Sequence, residues 1–268
     1  MESNNLPSGA RAFAEDLARA AGELMRGHYR LEYAIEQKSD LTPVTEADRL
    51  VNELVIDRVR QAYPDHGVLG EEASHNLGAD WLWVCDPIDG TAAYMTRVPT
   101  SAFSLALVHD GDVKMAIVFM PFTNELFFAE KGAGAWLGQR RLQVSKRGTD
   151  TPAIIGGSGS TTSPYLFIDS APGIALLKQK GWYTINFPGI ATTGALIADG
   201  SIDGVFYIAS YAHDIAAIYL IVTEAGGKVT DLNGQPQRYD GAIKGAIVSN
   251  GVIHDDLVQI AATLRAGQ

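Results

Sequence analysis

Apolar and polar positions recur along this chain with two distinct periods. Over residues 8–29, Phe13, Leu17, Ala20, Leu24 and Met25 return every three or four positions between Arg11, Glu15, Asp16, Arg19 and Glu23. That spacing predicts an amphipathic helix docked by one face. A second helix is announced by Thr45-Glu46-Ala47-Asp48, where the threonine can cap the first turn and the acid three residues on favours its positive end. Leu50, Val51, Leu54, Val55 and Val59 then form its apolar stripe, and Pro64 ends it.

The middle of the chain reads as strands. Residues 81–91, WLWVCDPIDGT, begin as an apolar strand and end in two aspartates. Runs at 103–109 and 113–120 flank Asp110-Gly111-Asp112 and predict an antiparallel hairpin with an acidic turn. Segments 125–129 and 135–144 continue the pattern around Gly132 and Gly134. Farther on, strands are expected at 153–157, 204–208, 227–231 and 246–249, and helices at 171–179, 192–198, 214–225 and 252–265. Without a Pro/Ser-rich linker or an internal repeat, this order predicts one layered α and β domain, with a subdomain border near 149–163. The run Gly156-Gly157-Ser158-Gly159-Ser160 lacks the Lys-Ser/Thr ending of a nucleotide-binding loop and reads as a flexible surface loop.

Composition narrows the function classes. Of 268 residues, 46% are hydrophobic and 19% charged, a balance that supports an ordered globular chain. The net charge of −10, with no Lys/Arg stripe, repels nucleic-acid polymers and leaves an anionic small molecule reachable only through a cation. The one cysteine, Cys85, excludes an intramolecular disulfide and sits in an apolar run as a small buried hydrophobe. The first residues lack a basic head followed by an apolar stretch, and no window holds about 18 uninterrupted apolar residues. A cytoplasmic protein without a membrane partner is therefore expected.

Carboxylates gather where strands end and helices begin. Taken singly, Asp48 and Asp214 would be helix caps and Glu71-Glu72 a solvated surface pair. The Asp86 to Thr91 segment changes that reading. Pro87 stiffens the chain, and Gly90 permits a positive φ or close approach by a ligand, so Asp86 and Asp89 can converge on one side of a tight turn. Clustered carboxylates repel unless a cation lies between them, and magnesium takes oxygen ligands from carboxylates, waters and phosphate. The amides of Gly90 and Thr91 beside it would cradle that phosphate. Phosphoryl chemistry by metal-activated water then needs no nucleophilic serine or cysteine.

Four blocks carry a resemblance: SDLTPVTEADR at 39–49, GEE at 70–72, DPIDGT at 86–91, and AHDIAA at 212–217 followed by TEAGG at 223–227. In this order they closely resemble the inositol monophosphatase family, the magnesium-dependent, lithium-sensitive phosphatases related to fructose bisphosphatase. The resemblance spans essentially the whole chain, 1–268. It implies that Glu71, Asp86, Asp89 and Asp214, with the carbonyl of Ile88, bind two or three Mg2+ ions. It further implies that Glu71 and Thr91 position the attacking water, with Thr91 oriented by Asp48, while the Gly90 and Thr91 amides hold phosphate. Lys38 resembles a lysine near the loop that closes over the third metal. The implied reaction is in-line hydrolysis of a small polyol, cyclitol or sugar phosphate. The implied fold is an α+β, α/β layered sandwich, αβαβα, with an antiparallel sheet and a second mixed sheet, usually in homodimers.

Departures from the family pattern fall on the substrate side. Tyr207 replaces a glutamate that contacts inositol hydroxyls, and His213 replaces the tryptophan before the last carboxylate. The sugar-lining Gly-Ser/Thr-Ala block is Pro188-Gly189-Ile190-Ala191, and the polar residues after DPIDGT are Ala92 and Ala93. Asp89, Ile190, Tyr207 and His213 are accordingly the candidate substrate contacts, although Tyr207 also reads as a strand residue and His213 as a packing residue or cap. Histidinol phosphate, a 3′-phosphoadenosine nucleotide and fructose 1,6-bisphosphate are alternative substrates, and a non-catalytic, metal- or partner-binding family member is the alternative role.

Overall fold

The computed structural model describes residues 6–29, 36–37, 43–157, 171–207 and 211–266. Helix α1 (Ala10–His28) precedes a two-stranded ribbon, β1 (Glu36–Gln37) and β2 (Pro43–Val44), and then α2 (Glu46–Ala62). The chain continues through β3 (Gly67–Gly70), β4 (Trp81–Asp89), the short helix α3 (Thr91–Met95), β5 (Ala102–His109), β6 (Asp112–Met120), β7 (Glu125–Glu130), β8 (Gly134–Leu137) and β9 (Arg140–Arg141). Strands β3 to β9 form a seven-stranded sheet in sequence order. The second half runs β10 (Ile154–Gly157), α4 (Ala171–Gln179), β11 (Tyr183–Asn186), α5 (Ile190–Ala198), β12 (Gly204–Tyr207), α6 (Ala212–Glu224), β13 (Lys228–Thr230), β14 (Ala246–Ser249) and α7 (His254–Ala266). Its five strands are ordered β11-β10-β12-β14-β13.

Alternation along β4 shows how the layers form. Trp83 and Cys85 point into a core shared with Leu17 and Met25 of α1 and Val51, Val55 and Val59 of α2. Leu82 and Val84 point the other way, into a core with Ala195 of α5, Ile218 and Ile221 of α6, and Val205 and Val248 of the second sheet. A third core joins the far side of that sheet, through Ile155, Phe206 and Ile247, to Leu177 of α4 and Leu257 and Ile260 of α7. The result is αβαβα, the expected layering, with α5 and α6 between the two sheets. No helix among the described residues is long and apolar enough to cross a membrane.

Several elements differ from expectation for physical reasons. The α1 stripe runs through Ala10, Ala14, Leu17, Ala18, Ala21 and Met25, with Phe13, Ala20 and Leu24 only partly covered. Small residues let this helix sit close to β6, where the Phe119 ring lies against Gly22. Strand β3 pairs parallel to β4, so the first sheet is antiparallel only from β4 onward. The segment expected as one strand over 135–144 instead turns at Gly138-Gln139 and pairs back as β9. Gly156 and Gly157 are buried at the end of β10 rather than in a surface loop, whereas Ser158, Gly159 and Ser160 lie outside the described residues. The β5–β6 hairpin turns on Asp110-Gly111 alone, both at positive φ, with Asp112 already paired to His109.

His254 starts α7 almost fully buried, with Nδ1 2.8 Å from Ser249 Oγ and Nε2 2.9 Å from Thr230 Oγ1. Burial first, then the nearby Lys228 charge, lowers its pKa from 6.5 to about 4. The unfolded chain therefore binds a proton between these values that the folded chain refuses. This group's contribution is full above pH 6.5 and falls away as pH drops toward 4, on the order of 3 kcal/mol in all. Histidine-resolved NMR titration should find the His254 ring neutral down to about pH 4. Ordinary titration near 6.5 would contradict the buried clamp.

Candidate active site

The two aspartates of DPIDGT are three positions apart, which in a regular strand sends their side chains to opposite faces. A bulge resolves this. Asp86 pairs with Ser104 and Asp89 with Ala102, so the β4 strand holds one residue more than β5 across this interval. Ile88 consequently turns into the α1/α2 core, and the side chains of Asp86 and Asp89 are both found along one pocket. The expected tight turn is thus a β-bulge, with Pro87 at the point where a backbone donor would be lost.

Gly90 follows with φ 79° and ψ 44°, a left-handed conformation that leads into α3. The close approach at Gly90 is made by the protein itself, since a Cβ there would lie 2.3 Å from Pro188 O. The Thr91 hydroxyl lies 3.3 Å from Asp48 Oδ1 and 3.2 Å from Ile88 O. Asp48 is anchored by the predicted capping box: its Oδ2 accepts from Thr45 N at 2.8 Å and from Thr45 Oγ1 at 2.5 Å.

The other wall comes from the second half of the chain. Asp89 accepts Ile190 N–H at 2.7 Å and Thr192 N–H at 3.3 Å, so the β4 carboxylate caps α5. Gly189 allows this, because a Cβ there would meet Asp89 Oδ2 at 2.5 Å. Asp214 stands in the first turn of α6 and accepts Tyr211 N–H at 2.6 Å. Glu71, Asp86, Ile88, Asp89, Gly90, Thr91, Ile190, Tyr207 and Asp214 all line one cavity of about 230 Å³. His213 lines an adjoining cavity that shares Glu71, and its ring stacks on Tyr211 at 5.2 Å. Lys38 lies outside the described residues.

The electrostatics favour a cation. Burial, then the charges of Glu71, Asp89 and Asp214, push the Asp86 carboxyl well above the usual carboxylate range. Burial likewise raises Asp89 to about 7, against the lowering effect of the α5 amides, and Asp48 to about 6. Asp86 Oδ1 is buried without a hydrogen-bond partner. Such an orphaned acceptor among like charges fits a divalent cation with hard oxygen ligands. Among the described residues, no three His, Cys, Asp or Glu side chains are grouped so that together they could hold one metal ion. Magnesium needs no such group, since it takes one or two carboxylates and keeps waters and substrate oxygens.

A family-wide sequence profile matches residues 8–266, and its description is the inositol monophosphatase family. The chain belongs to that family. It is 33% identical over 252 residues to the fructose-1,6-bisphosphatase/inositol-1-monophosphatase of Thermotoga maritima, covering 92% of this chain and 94% of that one. It is 34% identical over 235 residues to Nus factor SuhB of Salmonella typhimurium, covering 81% and 83%. The solved Thermotoga maritima IMPase superposes with a TM-score of 0.87 at 30% identity, over 96% of this chain and 98% of that one. Membership supports phosphatase activity for this chain and accounts for the layered sandwich.

One residue beside this pocket escaped sequence reasoning. Asn52 is buried on α2, where its Nδ2 donates to Ala73 O at 3.0 Å and its Oδ1 accepts Glu72 N–H at 3.3 Å. It thereby holds the loop that carries Glu71. The available signal was a polar residue inside the stripe Leu50, Val51, Leu54, Val55. Asn52→Ala should weaken magnesium activation of phosphate release roughly tenfold or more, while the melting temperature drops by only a few degrees. An unchanged magnesium titration would remove Asn52 from this role.

Proposed function

We propose that this protein is a magnesium-dependent phosphomonoesterase acting on a small polyol, cyclitol or sugar phosphate. The observation that carries this reading is the Asp86–Asp89 bulge, which turns two buried carboxylates, one with an orphaned oxygen, into a pocket shared with Glu71, Asp214 and Thr91. Glu71, Asp86, Asp89, Asp214 and the Ile88 carbonyl would hold two or three Mg2+ ions. Bound there, the ions would neutralise phosphate charge and make water more acidic. The Thr91 hydroxyl, with its proton directed to Asp48 or Ile88 O, keeps its lone pairs for accepting a water proton. Glu71 would serve as the second acceptor for that water. The first amides of α3 have no intrahelical acceptor, so Gly90 and Thr91 would present their N–H groups to phosphate. The homodimer and lithium sensitivity implied by the resemblance belong to the same proposal, and the net charge of −10 supports a small ester over a nucleic-acid polymer.

A second reading is favoured by relatives that bear the name Nus factor SuhB. There the site would bind metal or support a partner without turnover. The intact set of Glu71, Asp86, Asp89, Thr91 and Asp214 supports catalysis instead.

Two measurements test the leading reading. Asp86→Asn should fold normally yet lose roughly 10³-fold or more of magnesium-dependent phosphate release across a panel of phosphate esters. Magnesium at a hundredfold excess over Kd should stabilise the unaltered protein by about 2.7 kcal/mol in thermal unfolding, with most of that lost in Asp86→Asn. Metal binding without turnover of any ester would shift the conclusion to the binding role.

A further inference from the structure

Beyond its carboxylates, Ile88 and the Gly90-Thr91 turn, the pocket is lined among the described residues by Ala92, Pro188, Gly189, Ile190 and Tyr207. Among these side chains the Tyr207 hydroxyl is the lone polar group, and Tyr207 is only 3% exposed. The backbone of the Pro188 to Thr192 part of that wall is committed internally. Pro188 has no N–H, and its carbonyl lies against Gly90. Gly189 N–H donates to Phe187 O at 3.1 Å, and Gly189 O accepts Thr193 N–H at 3.3 Å and Thr193 Oγ1 at 2.6 Å. The Ile190 and Thr192 amides donate to Asp89.

A substrate hydroxyl pressed on the side chains of Ala92, Pro188 and Ile190 would leave water and meet only carbon there. Each such hydroxyl should lower kcat/KM by roughly tenfold. A carbon–hydrogen or aromatic face would lose nothing and would gain contact with Ile190 and the Tyr207 ring.

We infer that the alcohol part of the substrate presents a hydroxyl-free face to the Ala92, Pro188, Ile190 and Tyr207 wall. Its hydroxyls, where it has them, are confined to the side facing Asp89 and Asp214. The substrate class is therefore the phosphate monoester of an alcohol with one apolar or aromatic face, not of a ring hydroxylated all round. This rests on the phosphatase reading above and narrows it.

Cyclohexyl phosphate and myo-inositol 1-phosphate share a six-carbon ring and differ in its hydroxyls, so steady-state phosphate release with magnesium isolates the effect. The expected result is kcat/KM at least about tenfold higher for the cyclohexyl ester. Ile190→Ser and, independently, Ala92→Ser should shrink that ratio by giving the wall a hydroxyl. Preference for the inositol ester, or a ratio untouched by both variants, would overturn the inference and leave the phosphatase reading standing. Failure of both esters, alongside failure of every ester in the wider panel, would take down the phosphatase reading and this inference together.

Discussion

The Asp89 carboxylate, bonded to the first amides of α5, ties the end of the first sheet's β4 strand to the helix layer between the sheets. The pocket depends on that contact. It fixes the distance from the β4 bulge to the 187–192 loop, and it brings Pro188 against Gly90, where no side chain could fit. Because α6 packs on the same face of the first sheet, Asp214 in its first turn arrives at the same place. The site is thus a junction of layers, built from residues more than a hundred positions apart.

Holding these carboxylates together works against the fold. Removing Asp86, Asp89 and Asp48 from water raises their pKa values, so near neutral pH their charged forms are a burden on stability. What overcomes it is the apolar packing around them: Trp83, Leu105 and Phe119 on one side, Ile215, Ile218 and Val205 on the other. A site with this tension has a built-in preference for positive charge. It also leaves little capacity for neutral hydrogen bonding, because the α5 amides are already spent on Asp89.

Local features were legible in sequence. The Thr45–Asp48 cap and the β5–β6 hairpin depend on neighbours a few residues away, and both formed, the hairpin with Asp112 already in its strand. Cys85 was legible as a buried hydrophobe because its neighbours are apolar; it is fully covered and its thiol pKa is raised. The bulge at Pro87 was not legible, since the same letters read equally well as a turn. Asn52 was visible as a break in an apolar stripe, but its partners at Glu72 and Ala73 come from a loop whose path the stripe does not encode. Gly156 and Gly157 were read both as the end of a strand and as the start of a loop, and the strand reading holds, because a buried strand end and a flexible loop have the same composition.

The sequence by itself determined which residues carry charge, where helices are capped and which blocks mark the family, because these are matters of identity and short-range spacing. Only the tertiary structure decided that Asp86 and Asp89 face the same way, that the second half of the chain closes the pocket, and that Ala92, Pro188 and Ile190 come together on its far wall. The physical reason is that side-chain direction after a bulge, and the commitment of each amide to a partner, are set by packing between layers that meet only when the whole chain has folded.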